Sequence, residues 1–230
     1  MNTPIKSAVL ATAGAILLLG AEMSALAQAN VTVNPSATWL GYMNVFNLPS
    51  AGGAFQFGSP WGTSDLVASF SGPTLTLSPN RIGDPDPYWY IGGGAPGNPG
   101  NKIMEANMYV ESNGGLLGGQ TVTFEGIVIA NSFTAAHSTY AFIKDFASDY
   151  SSFNLTTVLL GAPGSFSINL ATISDPSRHV QYGFQTVGVN VWSTDVAPFG
   201  SIQINAVPEP STFALAGIGL AALLIMRRRR

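Results

Sequence analysis

The ten residues KIMEANMYVE (102–111) alternate between apolar and polar side chains. The apolar positions are Met104, Ala106, Met108 and Val110, and the positions between or after them are Glu105, Asn107, Tyr109 and Glu111. Successive side chains of a β-strand point to opposite faces of its sheet. The pattern therefore predicts a strand that packs one face on a core and turns the other to water.

Similar short runs rich in β-branched and aromatic residues lie on both sides of this stretch, separated by Gly, Pro, Asn and Ser. They cover residues 38–46, 66–70, 74–77, 120–130, 153–160, 165–170, 180–192 and 201–205. Residues 137–153 are ambiguous between a strand and a short helix. We favour a strand at 140–146, with Lys144 and Asp145 near an edge of the sheet. The predicted fold is all-β, an antiparallel β-sandwich of the jelly-roll kind spanning residues 30–206.

The composition indicates an exported, turn-rich protein. Only 9% of the residues are charged, and there are 26 Gly, 15 Pro and no Cys, so disulfides and thiolate metal sites are excluded. Residues 30–206 contain four basic residues against ten acidic ones, a formal charge of −6. Nucleic acid is not an expected partner, because binding phosphates requires clustered Lys and Arg.

The N-terminal residues 1–29 have the features of a secretory signal peptide. A single Lys precedes the apolar run 8–20, and small residues follow at Ala25, Ala27 and Ala29. Cleavage after either Ala27 or Ala29 satisfies the small-residue requirement, so the mature chain is expected to start at Gln28 or Asn30. The alternative interpretation is a permanent N-terminal anchor.

The C-terminal segment 207–230 combines an extended tripeptide, an apolar run and a basic tail. Pro208 and Pro210 disfavour helical conformations for the residues before them, which predicts an extended strip that a protease can grip. Residues 211–226 carry no charge and predict a membrane helix of about 24 Å, short for a bilayer core of about 30 Å. The tail Arg227, Arg228, Arg229 and Arg230 is expected to remain cytoplasmic.

This arrangement resembles the PEP-CTERM sorting signal of exported proteins from Gram-negative bacteria that make exopolysaccharide. Pro208, Glu209 and Pro210 match its Pro-Glu-Pro motif, and a transmembrane helix and an Arg-rich tail follow. The resemblance implies recognition by exosortase, a membrane-embedded protease, with these three residues acting as substrate. An ordinary single-pass membrane tail is the alternative.

The loop Asp84-Pro-Asp86-Pro-Tyr88-Trp89-Tyr90 is the candidate ligand-binding segment. Its aromatic rings are of the kind that stack on sugars, and its carboxylates are of the kind that bind sugar hydroxyls or Ca²⁺. The competing interpretation is a proline-stiffened loop whose aromatic residues cover one end of the core, which agrees with the absence of a full set of oxygen ligands.

The remaining candidate residues carry no recognisable catalytic or metal-binding motif. His137 and His179 are far apart in sequence and are predicted to be surface or hydrogen-bonded loop residues, while Trp39, Trp61 and Trp192 are predicted to lie in or beside the core. No catalytic residue, metal ligand or required cofactor is assigned, and Ca²⁺ is the one candidate ion.

The expected function is a non-catalytic protein of the outer envelope or extracellular matrix, reached after transient residence in the inner membrane. Exosortase and, before processing, the membrane are its expected partners, and polysaccharide is its candidate ligand, with a structural or carbohydrate-binding role in exopolysaccharide or biofilm. The sparse charge suits neutral sugars. The alternatives are a matrix protein that self-associates through strand edges and a carbohydrate-active enzyme, which needs two acids within about 10 Å.

Overall fold

The computed structural model describes residues 26–207, which consist of β-strands joined by turns. Within these residues the helical segments are two single 3-10 turns, Pro49–Ala51 and Ala197–Phe199, so the predicted all-β class is confirmed. No helix in this range is long and apolar enough to cross a membrane. Most of the expected signal peptide (1–25) and the sorting tripeptide, apolar segment and Arg tail (208–230) lie outside the described residues.

Most strands belong to two six-stranded sheets. The first contains β1 (Ala27–Thr32), β4 (Ala68–Ser71), β5 (Thr74–Leu77), β8 (Gln120–Asn131), β11 (Gly164–Ala171) and β14 (Ile202–Asn205). The second, in spatial order, contains β10 (Phe153–Leu159), β9 (His137–Phe146), β12 (His179–Val189), β7 (Lys102–Ser112), β2 (Leu40–Asn47) and β3 (Phe55–Pro60). A small third pair joins β6 (Arg81–Ile82) to β13 (Val191–Trp192).

The second sheet is antiparallel throughout. In β7, apolar and polar side chains alternate between the two faces of this sheet. Met104, Ala106 and Met108 are buried in the hydrophobic core, as the sequence predicts. Glu105 and Tyr109 lie on the opposite face and are partly exposed. Because neighbouring strands keep the same alternation, this outer face continues across the sheet.

Side chains from both large sheets form one hydrophobic core. Phe124 of β8 is fully buried, and its ring centroid lies 5.4 Å from that of Phe184 of β12 and 5.3 Å from that of Tyr182. Aromatic pairs at this spacing add to the hydrophobic stabilisation of a core. The inner faces of the two sheets are therefore in direct contact.

Two pairings depart from the expected antiparallel order. β1 runs parallel to β8, with Ala27 opposite Gln120 and Thr32 opposite Glu125, and β6 runs parallel to β13. Neither pair is joined by a short connection, so no hairpin forces the strands into opposite directions. Cleavage of a signal peptide after Ala27 would leave five residues of β1, and cleavage after Ala29 would leave three.

The run 180–192, predicted as one strand, is interrupted at Asn190. This side chain is fully buried. Its amide donates to the Trp89 carbonyl at 2.8 Å, and its Oδ1 accepts from the Lys102 N–H at 3.0 Å. These bonds hold the chain where it leaves the second sheet, and Val191 then pairs with Arg81.

The strand predicted over 140–146 is confirmed, but its position at an edge is wrong. β9 is an interior strand, because β10 pairs with one of its edges and β12 with the other. His137, expected at the surface or in a loop, begins β9 and is buried. Its Nε2 lies 3.0 Å from the Val189 carbonyl, so it is a hydrogen-bonded residue of a strand.

Candidate functional site

The predicted ligand-binding loop 84–90 uses its own carboxylates to hold its backbone. Asp84 Oδ1 accepts from the Asp86 N–H at 2.9 Å, and Asp86 Oδ1 accepts from the Tyr88 N–H at 2.7 Å. Each is the pattern in which an Asp side chain mimics a backbone turn. Within residues 26–207 no group of three or more His, Asp or Glu side chains is placed to hold a metal ion.

The aromatic residues of this loop are largely engaged within the protein. Tyr90 has no exposed surface, and its hydroxyl accepts from the Ile82 N–H at 3.2 Å and lies 2.9 Å from the Val191 carbonyl. Burial raises the pKa of this phenol, although its hydrogen bonds with Asn190 and Ile82 oppose the shift. The Trp89 ring packs edge-on against Tyr88 at 4.8 Å, and Lys102 Nζ lies 4.2 Å from the centroid of the Tyr88 ring. Tyr90 is therefore part of the hydrophobic core, and Trp89 packs against it.

The predicted role of the other tryptophans is confirmed, because all three are partly buried against the core. They are Trp39, Trp61 and Trp192.

A cleft of about 590 Å³ lies on the outer face of the second sheet. Strands β2, β3, β7, β9, β10 and β12 contribute side chains to it, together with the turn between β9 and β10. The lining residues are Tyr42, Asn44, Pro60, Glu105, Asn107, Tyr109, Glu111, Lys144, Phe146, Tyr150, Phe153 and Gln181. We call this feature the outer cleft. None of its residues belongs to the 84–90 loop.

The strand register explains why these side chains meet. Residues directly opposite each other in an antiparallel pair lie on the same face of the sheet. One row across the sheet runs from Glu111 of β7 through Gln181 of β12 to Lys144 of β9. The next row runs from Tyr109 through Gly183 to Phe142. At Gly183 an added Cβ would lie 2.1 Å from the Met108 carbonyl oxygen, so this point of the row has no room for a side chain.

One half of the outer cleft contains a network of amides and charges. Asn44 donates to Glu105 Oε1 at 2.8 Å, while Lys144 Nζ and the Gln185 amide donate to Asn107 Oδ1 at 3.2 and 3.1 Å. Burial lowers the pKa of Lys144, and the negative charge of Glu105 opposes that shift. The ammonium also lies 4.5 Å from the centroid of the Phe142 ring, so this cation is held by the cleft wall.

The other half is organised around Glu111. The Gln181 amide donates to Glu111 Oε2 at 2.7 Å, and the Tyr150 hydroxyl lies 3.2 Å from both carboxylate oxygens. The Tyr150 ring stacks on His179 with a centroid distance of 4.5 Å and an interplanar angle of 12°. Desolvation and the neighbouring charge of Glu111 raise the pKa of Tyr150 to about 12.

The outer cleft was not predicted as a site, although part of its signal is present in the sequence. The alternation over 102–111 places Glu105, Asn107, Tyr109 and Glu111 on one face. The remaining lining comes from strands far away in sequence, and only their spatial order brings those side chains beside β7.

A comparison with protein-family models matches residues 206–230 to the PEP-CTERM protein-sorting motif. Neither a curated protein nor a solved structure matches the chain. The match includes Pro208, Glu209 and Pro210, which the sequence identifies as the sorting tripeptide. The chain thus carries a C-terminal PEP-CTERM motif, the mark of exported proteins that are sorted at a membrane and processed by exosortase.

Proposed function

We propose that this exported protein is a non-catalytic polysaccharide-binding component of the outer envelope or extracellular matrix of a Gram-negative bacterium. Exosortase releases it from the inner membrane, and the outer cleft then holds a polysaccharide chain. The single observation that carries the binding role is the outer cleft, where aromatic rings and amide groups line about 590 Å³ of one sheet face.

The chemistry of the outer cleft suits sugars. Aromatic rings such as Tyr42 and Tyr109 offer apolar faces for sugar C–H groups and hydroxyls for their polar edges. Asn44, Asn107 and Gln181 supply donors and acceptors at neighbouring positions. Binding sites of this class combine an apolar lining with a few placed polar groups.

The charges of the outer cleft favour a neutral ligand. Its lining contains two carboxylates, Glu105 and Glu111, and one ammonium group, Lys144. An acidic polysaccharide or a nucleic acid would place its negative groups near both carboxylates, which repel them, and only one cation in this lining would offset that repulsion.

The spacing of the two glutamates supports a non-catalytic role. Glu105 and Glu111 are six positions apart on the extended strand β7, a distance of roughly 20 Å at the usual rise per residue. Glycosidases that use two carboxylates hold them about 5 to 10 Å apart. The pair in the outer cleft is too widely spaced for that chemistry.

The fold proposed for the body is the β-sandwich predicted from the strand pattern. Contact between the inner faces of the two large sheets, with Phe124 against Phe184, supports this arrangement. It leaves the outer face of the second sheet available to a ligand.

Binding can be tested with the purified full-length chain in a zwitterionic detergent, since glycoside detergents would compete for the cleft. Isothermal titration calorimetry is performed with a neutral glucan, a uronic-acid polysaccharide and the exopolysaccharide of the host. We expect Tyr109→Ala to weaken binding to the neutral chain about tenfold, through loss of one stacking contact.

Tyr88→Ala in the 84–90 loop is the matched control and is expected to retain the affinity. Circular dichroism on each variant checks folding. Loss of binding in Tyr88→Ala with retention in Tyr109→Ala would assign the ligand to the loop, and absence of binding to every polysaccharide would contradict the proposal.

A further inference from the structure

The outer strand β10 presents an unpaired edge. Among the described strands it pairs with β9 alone, over all seven residues from Phe153 to Leu159. Its sequence, FNLTTVL, contains no charge, proline or glycine, and its register with β9 shows no bulge. Such an edge exposes backbone donors and acceptors that can pair with another strand.

The other outer strands differ from β10 in features that discourage pairing. At the opposite edge of the same sheet, β3 contains Gly58 and ends at Pro60, and a bulge interrupts its register with β2. In the first sheet, β4 has only four residues. Short strands, prolines and bulges are devices that protect sheet edges.

The side chains of β10 distinguish it from β11 and β1, the two remaining outer strands of the large sheets. Phe153, Leu155 and Leu159 are 49%, 46% and 55% exposed. These three residues lie opposite Phe146, Lys144 and Tyr140 of β9, so they share the outer face of the sheet. By contrast, β11 buries Phe166 and Ile168 and exposes small polar residues. The exposed residues of β1 are likewise small or polar. The β10 edge therefore combines free backbone groups with exposed apolar side chains.

We propose that β10 pairs antiparallel with β10 of a second copy of this chain, about a two-fold axis at Thr156. In this register Phe153 faces Leu159 of the second copy, and Leu155 faces Thr157 of the second copy. On the outer face every cross-strand pair is then apolar or β-branched, a combination that stabilises antiparallel pairs. Because the segment is uncharged, no like charges meet across the axis.

The self-complementary register favours a closed dimer over an open fibre. A two-fold contact uses the same patch on both copies and leaves neither β10 edge free. The joined sheet has twelve strands, with the two outer clefts on one continuous face. Phe153 lines the outer cleft of its own copy, and Leu159 of the second copy extends that wall. Dimerisation does not depend on the proposed glycan binding.

The dimer can be tested by cross-linking, because the chain contains no cysteine. In the proposed register Thr156 of one copy faces Thr156 of the other, with their Cβ atoms about 4.5 to 5.5 Å apart. This separation is close to the Cβ–Cβ range of a disulfide. We expect Thr156→Cys in the full-length chain in detergent to form a disulfide-linked dimer under mild oxidation. Gln56→Cys, at an exposed position of β3, is the matched control and should remain monomeric on denaturing gels.

A second measurement separates β10 pairing from contacts made elsewhere in the chain. Sedimentation velocity should show a dimer for the unmodified protein and at least a tenfold higher dissociation constant for Leu155→Lys. Gln56→Lys should leave the dimer unchanged. The proposal would be overturned if the unmodified protein were monomeric or if Leu155→Lys formed an equally tight dimer. It would also be overturned by an open series of oligomers in which Thr156→Cys does not cross-link.

Discussion

Tyr150 lies at the edge of the outer cleft in a conformation that few residues other than glycine adopt. Its φ is 58°, and this left-handed region costs a residue with a side chain of the order of 1 kcal/mol. Three contacts hold it there: the Tyr150 ring stacks on His179, packs against Phe146 at 5.4 Å, and its hydroxyl contacts Glu111. These contacts offset the backbone strain and fix the turn that closes one end of the cleft.

The Tyr150 phenol is expected to titrate well above an ordinary tyrosine. Its pKa is raised from 10.0 to about 12, because burial and the charge of Glu111 disfavour the phenolate. The group therefore contributes stability fully below about pH 10, and this contribution is lost as the pH rises through about 12. The absorbance difference at 295 nm between the unmodified protein and Tyr150→Phe should yield this pKa.

The variant Glu111→Gln serves as the electrostatic control. Removing the carboxylate charge is expected to lower the pKa of Tyr150 towards its ordinary value, since a neutral amide does not repel the phenolate. A difference titration centred near pH 10 in the unmodified protein would show that Glu111 and Tyr150 are not coupled in solution.

At the scale of elements, Asp145 connects β9 to the segment between β11 and β12. Its side chain is fully buried. Its Oδ1 accepts from Arg178 Nε at 2.8 Å, and its Oδ2 accepts from the Ile173 N–H at 2.9 Å. Arg178 Nη2 also donates to the Asp145 carbonyl at 2.7 Å. Because the Asp145 carboxylate is buried, its charge requires such a partner.

Asp145→Ala is expected to lower the free energy of unfolding by about 3–5 kcal/mol, because it leaves the largely buried Arg178 charge without its partner. Urea denaturation followed by circular dichroism measures the change. Asp149→Ala is the matched control. Asp149 accepts hydrogen bonds from Ser151 within an exposed turn, and its loss should shift the midpoint little. Equal midpoints for the two variants would refute a structural role for the Asp145–Arg178 pair.

Local patterns predicted many strands but could not predict their neighbours. The alternation in 102–111 and the run 74–77 correspond to β7 and β5. The break at Asn190 could not be predicted, because it depends on contacts with Trp89 and Lys102, which are distant in sequence. The outer cleft was missed for the same reason, since five other strands and a turn must assemble around β7.

At the scale of the whole molecule, the sorting motif follows the folded body almost directly. The last strand of the described residues, β14, lies between β8 and β5, and its Ile202 and Ile204 are fully buried. Only Ala206 and Val207 separate its end at Asn205 from the sorting tripeptide. Exosortase therefore meets its substrate within a few residues of a folded sheet.

Replacing Pro208, Glu209 and Pro210 with alanine is expected to keep the full-length chain in the inner membrane, because the match to the sorting motif is lost and the residues before each proline are free to become helical. Membrane fractionation and mass spectrometry in the producing bacterium measure location and length. Asp149→Ala, in a turn remote in sequence from the C-terminus, should be processed like the unmodified protein. If the triple variant leaves the inner membrane and is trimmed at the normal rate, the apolar segment and Arg tail suffice for sorting, and the tripeptide is not the element that exosortase reads.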